Sequence, residues 1–342
     1  MNCRRDGFIL IAALWLIVAL GAVGLDASLR SRTRRLAAAN VLDQTRARAA
    51  ATAGTEYARS RLTAAMLDRA LELRNERMSS ARTARARRSA TRASVNSLFR
   101  SSDPLEDPWR DPQGLIASEM AFGDARYTLR IHDTGAFLNL NAADENMLRQ
   151  FFAQGLRVDY ALADRLTQAI LDWRDEDEIP RIGGGEREEY LAQRMPVLPP
   201  NRDFAELDEL RHVLGMTPEL YDEARDYLTL VGSGDVNVNS APEAVLLALP
   251  GMTPPAVTTL LRARTAGQTP RSAGELRGLM PAGIRAVLED ERTRFNRVTT
   301  FRTNEVEIIA DGRVENSPMV VRARVVVARS NTGAVVVWRK IH

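Results

Sequence analysis

The stretch Asp6–Leu25, DGFILIAALWLIVALGAVGL, constrains this chain more than any other. A short charged leader and a glycine precede Phe8, which opens 18 residues without a charge. As a helix rising about 1.5 Å per residue, that run is about 27 Å long, close to the ~30 Å hydrocarbon core of a bilayer. Two readings compete. A cleavable secretory signal has a basic start, a short apolar core and a small-x-small exit, which Ala22-Val23-Gly24 before Leu25 imitates loosely. A retained membrane helix is favoured by the very short leader, the abrupt Gly7–Phe8 junction and an alanine-rich charged segment that continues without a helix breaker.

At 342 residues the chain is long enough for two folded units beside such a helix. The formal net charge of +3 hides an imbalance: residues 30–100 hold 17 Arg against five acids, and residues 101–342 hold 28 Arg plus Lys against 37 acids. A basic stem therefore carries an acidic head. Lysine occurs once, at Lys340, so the Arg abundance reads as coding bias, and the run Arg82–Arg92 as a solvated loop rather than a nucleic-acid patch. Cys3, the sole cysteine, lies in the leader and leaves the rest of the chain nothing to form a disulfide. Arg4 and Arg5 precede the apolar run while Arg30, Arg32, Arg34 and Arg35 follow it, and a count of basic residues alone would put the bulk of the protein in the cytoplasm.

From Asp26 to about Met78 there is no proline and only Gly54, so one long stem helix is expected, with Leu62, Met66, Ala70 and Leu73 as an apolar stripe fit to lie on a sheet. Ser79–Gly114, polar and then broken by Pro104, Pro108 and Pro112, reads as a long surface loop. Ala125–Asp133 alternates like a half-buried strand. Its companions are distant: Asn304–Ala310, Met319–Ser330 and Ala334–Ile341, separated by the turn-forming segments DGRVENSP and SNTG. Everything between is then an insertion, and it contains a repeat. FLNLNAADENML at Phe137–Leu148 returns as DVNVNSAPEAVL at Asp235–Leu246, each an apolar-Asn-apolar-Asn arm leading into a helix. Ser240 with Glu243 and Ser272 with Glu275 have capping-box spacing. Short helices are expected near 144–152, 160–174, 204–214, 218–230, 242–249, 254–263, 273–279 and 283–293.

On its leader and apolar run the chain resembles the type IV pilin superfamily, which implies cytoplasmic cleavage by prepilin peptidase between Gly7 and Phe8, methylation of the new Phe8 amine and retention of the helix. Ala12 stands where most pilin-like subunits carry a glutamate, an omission that suits a subunit at a fibre tip. The LNLN arm, LDWRDEDE followed by Glu186, ELRHVLGMTPELYDEARDYLTL and VNVNSAPEAVLLALPGM together resemble the minor pseudopilins of the K class in type II secretion. That likeness implies an α+β chain: leader 1–7, transmembrane helix 8–25, helix continuation 26–78, loop and first strands 79–136 of a pilin-like domain with an antiparallel sheet, an inserted all-helical domain 137–295 of helix-hairpin-helix (SAM-like) kind, and completing strands 296–342. It further implies a single-pass bacterial inner-membrane protein with its bulk in the periplasm. The partners implied are other minor pseudopilins, the major pseudopilin, prepilin peptidase and the inner-membrane secretion platform, and the role is capping the pseudopilus tip for export of folded proteins.

Asp172, Asp175, Glu176, Asp177 and Glu178 crowd the C-terminal end of an expected helix, where the macrodipole is already negative. Flexible Gly183–Gly185 and then Glu186 and Glu188 follow, an oxygen-rich set suited to Ca²⁺ and not to zinc, although a plain solvated acidic loop has the same composition. The K-class likeness implies calcium here, with Asp172, Asp175, Asp177 and Glu186 as ligands and Glu189 a further candidate. Leu249–Arg264 looks like a helix-hairpin-helix unit, which opens the alternative of a membrane-anchored DNA receptor. Its Gly251-Met252-Thr253 turn lacks the second glycine and its surroundings are acidic, so no nucleic acid is expected. His132, His212 and His342 sit in no catalytic or phosphate motif, and no enzyme activity is expected.

Overall fold

The computed structural model describes residues 3–99 and 103–342, with the side chains of 3–13, 19, 23, 24, 27 and 96 outside that description. The expected cut between Gly7 and Phe8, and Ala12, therefore lie outside the described side chains.

Helix α1 runs unbroken from Cys3 to Ser80, 78 residues or about 117 Å. Among the described residues no helix is long and apolar enough to cross a membrane. The first half of α1 is nevertheless bare: Leu14, Trp15, Leu16, Ile17, Val18, Leu20, Leu25, Leu29, Leu36, Val41 and Leu42 are all exposed. Its second half is not. Leu62, Met66, Ala70 and Leu73 are buried, as their helical spacing predicts, together with the small residues Ala47, Ala50, Ala51 and Ala58.

The stretch expected as a surface loop is partly helical and partly core, with α2 (Ala84–Arg92) and α3 (Val95–Phe99) folding back along the end of α1. Asp103 and Asp107 cap single turns opened by Pro104 and Pro108, accepting from Leu105 N and Trp109 N at 3.0 Å. Each proline supplies a pre-set φ for a tight turn rather than a free loop, and the second turn drives Trp109 into the core, where its Nε1 donates to Leu62 O at 3.1 Å.

Strands β1 (Glu119–Phe122) and β2 (Ala125–Asp133) begin a sheet, and the chain then leaves it. The excursion comprises β3 (Leu138–Asn139), α4 (Glu145–Gln150), α5 (Tyr160–Arg174), α6 (Arg187–Ala192), α7 (Pro218–Ala224), β4 (Leu228–Thr229), β5 (Val236–Asn237), α8 (Glu243–Leu246), α9 (Pro254–Thr265), α10 (Ala273–Leu279), α11 (Ala282–Asp290), α12 (Arg292–Val298) and β6 (Thr299–Thr300). It has a core of its own, built around Trp173 stacked on Phe204 at 5.7 Å. Return to the sheet comes with β7 (Glu305–Val314), β8 (Val320–Ser330) and β9 (Gly333–Ile341), in the order β1-β2-β7-β8-β9 with every pairing antiparallel.

Two boundaries differ from expectation for identifiable reasons. Asp311–Val314, expected as a turn, continues β7, because Asp311 is gripped across the sheet by Arg322 at 2.6 and 2.9 Å and Gly312 lies under α1. A methyl carbon on Gly312 would sit 2.0 Å from Ala47 O, so only glycine lets helix and strand approach so closely. The helices expected over 204–214 and 218–230 shorten to a 3₁₀ segment at Leu207–His212 and to α7, since Leu228-Thr229 must extend to pair in parallel with Leu138-Asn139.

Where the chain leaves and re-enters the sheet, one buried carboxylate ties the pieces together. Asp133 Oδ2 accepts from Asn237 Nδ2 and Ser240 Oγ at 2.7 Å and from Thr303 Oγ1 at 2.9 Å, while its Oδ1 accepts from Gly135 N at 2.9 Å. Ser240 thus serves Asp133 and caps no helix, and α8 starts after Pro242 without a side-chain cap.

Candidate metal centre

The repeat fixes the scaffold of the acidic site. In each arm the first asparagine folds its side chain over the second: Asn139 Oδ1 accepts from Asn141 N and Asn237 Oδ1 from Asn239 N, both at 3.0 Å. Each arm is then clamped by an arginine from a later helix. Arg174 of α5 donates to Leu140 O and Ala143 O, and Arg264 of α9 donates to Val238 O and Ala241 O, equivalent carbonyls of the two arms. The two arginines lie at different distances from their arms, so the repeat gave no sign of them. Because Arg174 is the last residue of α5, its grip on the first arm anchors the helix end from which the acidic loop departs.

Asp172, on the last turn of α5, is completely buried. Its carboxylate accepts from Arg181 N at 3.1 Å and Gly185 N at 2.8 Å and faces Arg181 Nε at 3.3 Å, which folds the loop back on the helix. Gly184 passes so near that a methyl carbon there would lie 2.2 Å from Asp172 Oδ2. The loop then delivers Glu186 at the start of α6, where Glu189 is occupied as a cap, accepting from Glu186 N at 2.9 Å.

Of the expected ligands, Asp175, Asp177 and Glu186 come together, each with a carboxylate oxygen within 4.8 Å of the others. Asp172 and Glu189 fall outside that trio. Both Glu186 oxygens and Asp175 Oδ1 are buried without a hydrogen-bond partner. So is Oδ1 of Asn201, whose side chain lies against Glu186 and whose Nδ2 donates to Asp177 O at 2.5 Å. Unpaired buried oxygens are costly, and here several face one another, while the donors nearby, Arg181 at 3.5 Å from Asp175 Oδ2 and Ile179 N at 2.9 Å from Asp177 Oδ1, go to other oxygens of the trio. Burial first, and then the neighbouring charges of Asp172, Asp175 and Asp177, push the Glu186 carboxyl up to about 7. Burial likewise raises Asp172 and Asp175 above the ordinary carboxylate range. The set is oxygen only, irregular, and spaced as oxygens are around an ion bound at 2.3–2.6 Å. The residues present fit Ca²⁺. Asn201 escaped the sequence reading because its only local signal is a left-handed backbone, φ 48°, fifteen residues beyond Glu186.

The hairpin at Gly251 (φ +75°) faces a groove of about 420 Å³ whose lining includes Asp144 and Glu291. Those carboxylates oppose a phosphate backbone, and the DNA-receptor alternative finds no support.

Comparison with known proteins agrees with this architecture. Residues 133–233 match the first-domain family model of type II secretion system (T2SS) protein K. Type II secretion system protein K of Klebsiella pneumoniae is 31% identical over 195 residues, covering 50% of this chain and 58% of that protein. The Dickeya chrysanthemi protein of the same description is 35% identical over 80 residues, 23% of this chain and 22% of that one. The chain thus spans somewhat over half the length of the Klebsiella relative. Among solved structures, the GspK-GspI-GspJ complex of the enterotoxigenic Escherichia coli type 2 secretion system contains a chain matched with a TM-score of 0.56 and 18% identity, over 92% of this chain and 99% of that one. The two chains share a mixed fold of long helix and antiparallel sheet. Residues 133–233 in particular, and about half of the chain in all, are similar to type II secretion system protein K.

Proposed function

We propose that this chain is a structural, non-enzymatic minor pseudopilin of a type II secretion system, held in the bacterial inner membrane by the first part of α1 with its bulk in the periplasm. The observation that carries this reading is the contrast within α1, whose far half is buried on the sheet while its near half, from Leu14 to Val41, leaves its large apolar side chains uncovered. A helix of that kind is complete only among lipid tails or sister helices. On this reading residues 134–304 are an inserted helical domain, too bulky for another subunit to stack above, and the protein caps the pseudopilus and promotes its assembly. Its partners would be other minor pseudopilins, as in the Escherichia coli complex, with the major pseudopilin below, the inner-membrane platform at its base and prepilin peptidase acting between Gly7 and Phe8.

Mass spectrometry of the mature N-terminus tests the anchor. A chain beginning at methylated Phe8 is expected, and Gly7→Leu should leave the precursor uncut; a start near Leu25 overturns the reading. The capping role is tested by trapping pseudopili, where a subunit distributed along the fibre would refute it.

We further propose that Asp175, Asp177 and Glu186, with the amide oxygen of Asn201, hold Ca²⁺, and that Asp172 shapes the loop that brings them together. The ion would supply the positive charge that four buried, unpartnered oxygens call for. Isothermal calorimetry on the chelated chain should show binding that Asp177→Ala weakens by tenfold or more; no heat with the wild-type chain retires the site.

A further inference from the structure

The basic run Arg82–Arg92 is absorbed by none of the functions above, and it is ordered as a helix rather than a loop. Helix α2 presents Arg85, Arg88 and Arg92 at i, i+3 and i+7, one face, toward a groove against the end of α1 that Arg77 also lines. The groove encloses about 1200 Å³, and its remaining walls are alanines and the hydroxyls of Ser80, Ser89, Ser94 and Ser97. Every charged group on it is a cation and no acceptor side chain other than those hydroxyls is present. About two turns before the groove, by contrast, Arg69 holds Glu72, Glu76 and Glu106. Among the described residues, Arg77, Arg85, Arg88 and Arg92 form no ion pair. Four unneutralised guanidinium groups on one concave wall repel one another, and a carboxylate-bearing occupant removes that cost.

We propose that this groove receives an aspartate- and glutamate-rich segment of a periplasmic protein partner. Two classes of polyanion are disfavoured by what surrounds it. With residues 8–25 in the bilayer, Ser80 stands about 80 Å along α1 from the membrane, beyond reach of that membrane's headgroups. The lining carries no aromatic ring on which a base could stack, and the head of the protein is acidic, which opposes a nucleic acid strand. Arginine forks match carboxylates in pairs, and a short acidic strip fits a nine-residue helix face. The compartment rests on the membrane-anchored reading above; the groove's chemistry does not.

The full chain in detergent, titrated by fluorescence anisotropy with a labelled deca-glutamate peptide, tests the proposal whatever its compartment. Binding is expected that weakens as salt rises and that Arg85→Glu, Arg88→Glu, Arg92→Glu together weaken about tenfold or more, three exposed ion pairs being worth that in sum. The matching triple lysine variant should keep most of the affinity, which separates loss of charge from loss of α2, and helicity by circular dichroism should be equal in all three proteins. No binding, or binding untouched by the charge reversal, overturns the proposal. So does equal or tighter binding of duplex DNA or of vesicles containing phosphatidylglycerol, which would mark a general polyanion surface.

Discussion

Two carboxylates in this molecule are buried to opposite effect. Glu186, buried beside the carboxylates of Asp172 and Asp175, is raised to about 7, whereas Glu307, 2% exposed, is held below the ordinary carboxylate range. Burial alone would raise Glu307, but hydrogen bonds from His132 Nε2 at 3.0 Å and Arg324 Nε at 2.6 Å override it. A depressed folded-state pKa gives stability that is present above the unfolded value and lost as the pH falls through the folded one. Glu307→Gln should therefore cost about 2 kcal/mol or more at pH 7, and the gap to wild type should narrow below about pH 4, in urea unfolding followed by circular dichroism. At Glu186 the expectation concerns the ion. Calcium at about a hundred times its dissociation constant should stabilise the chain by about 2.7 kcal/mol, and Glu186→Gln should lose most of that gain in thermal melts with and without chelator.

Among the elements, α1 and its seat on the sheet were the most legible in the sequence. The 3.6-residue spacing of Leu62, Met66, Ala70 and Leu73 and the alternation of Tyr127, Leu129 and Ile131 are signals written in one dimension, and both name the buried face correctly. The distance of closest approach was not legible, because it depends on which residues of two remote elements meet. Gly312→Ala places its methyl against Ala47 O and should cost about 3 kcal/mol by lifting α1 from β7, whereas Gly278→Ala, with open space around it, should cost little. Paired thermal melts check this. The acidic cluster could be read as a composition, but its membership could not. Asp172 lies three residues before Asp175, yet it points into the protein and is consumed by backbone amides, while Asn201 arrives from a separate loop. Trp109, in a stretch whose prolines and arginines suggest a surface loop, is a core residue because Pro104 and Pro108 each follow an aspartate cap and make a turn.

For the whole molecule the decisive feature is a sheet interrupted in sequence and continuous in space. Asp133 at the end of β2 lies opposite Val306 at the start of β7, although 172 residues separate them. Replacing residues 134–305 by Asn-Gly should therefore leave a hairpin of ordinary geometry and a folded stem and sheet, with unfolding still cooperative. Loss of the sheet signal in circular dichroism would show instead that the helical part is needed to form it.

Asp133 itself sets how the two halves of the molecule share a load. Its side chain is grasped by Asn237 and Ser240 from the second arm and by Thr303 just ahead of β7, at the very place where the backbone crosses out of the sheet and back. The junction is riveted rather than jointed. A force applied along α1 and the sheet would reach the helical part through these hydrogen bonds and not through a slack linker.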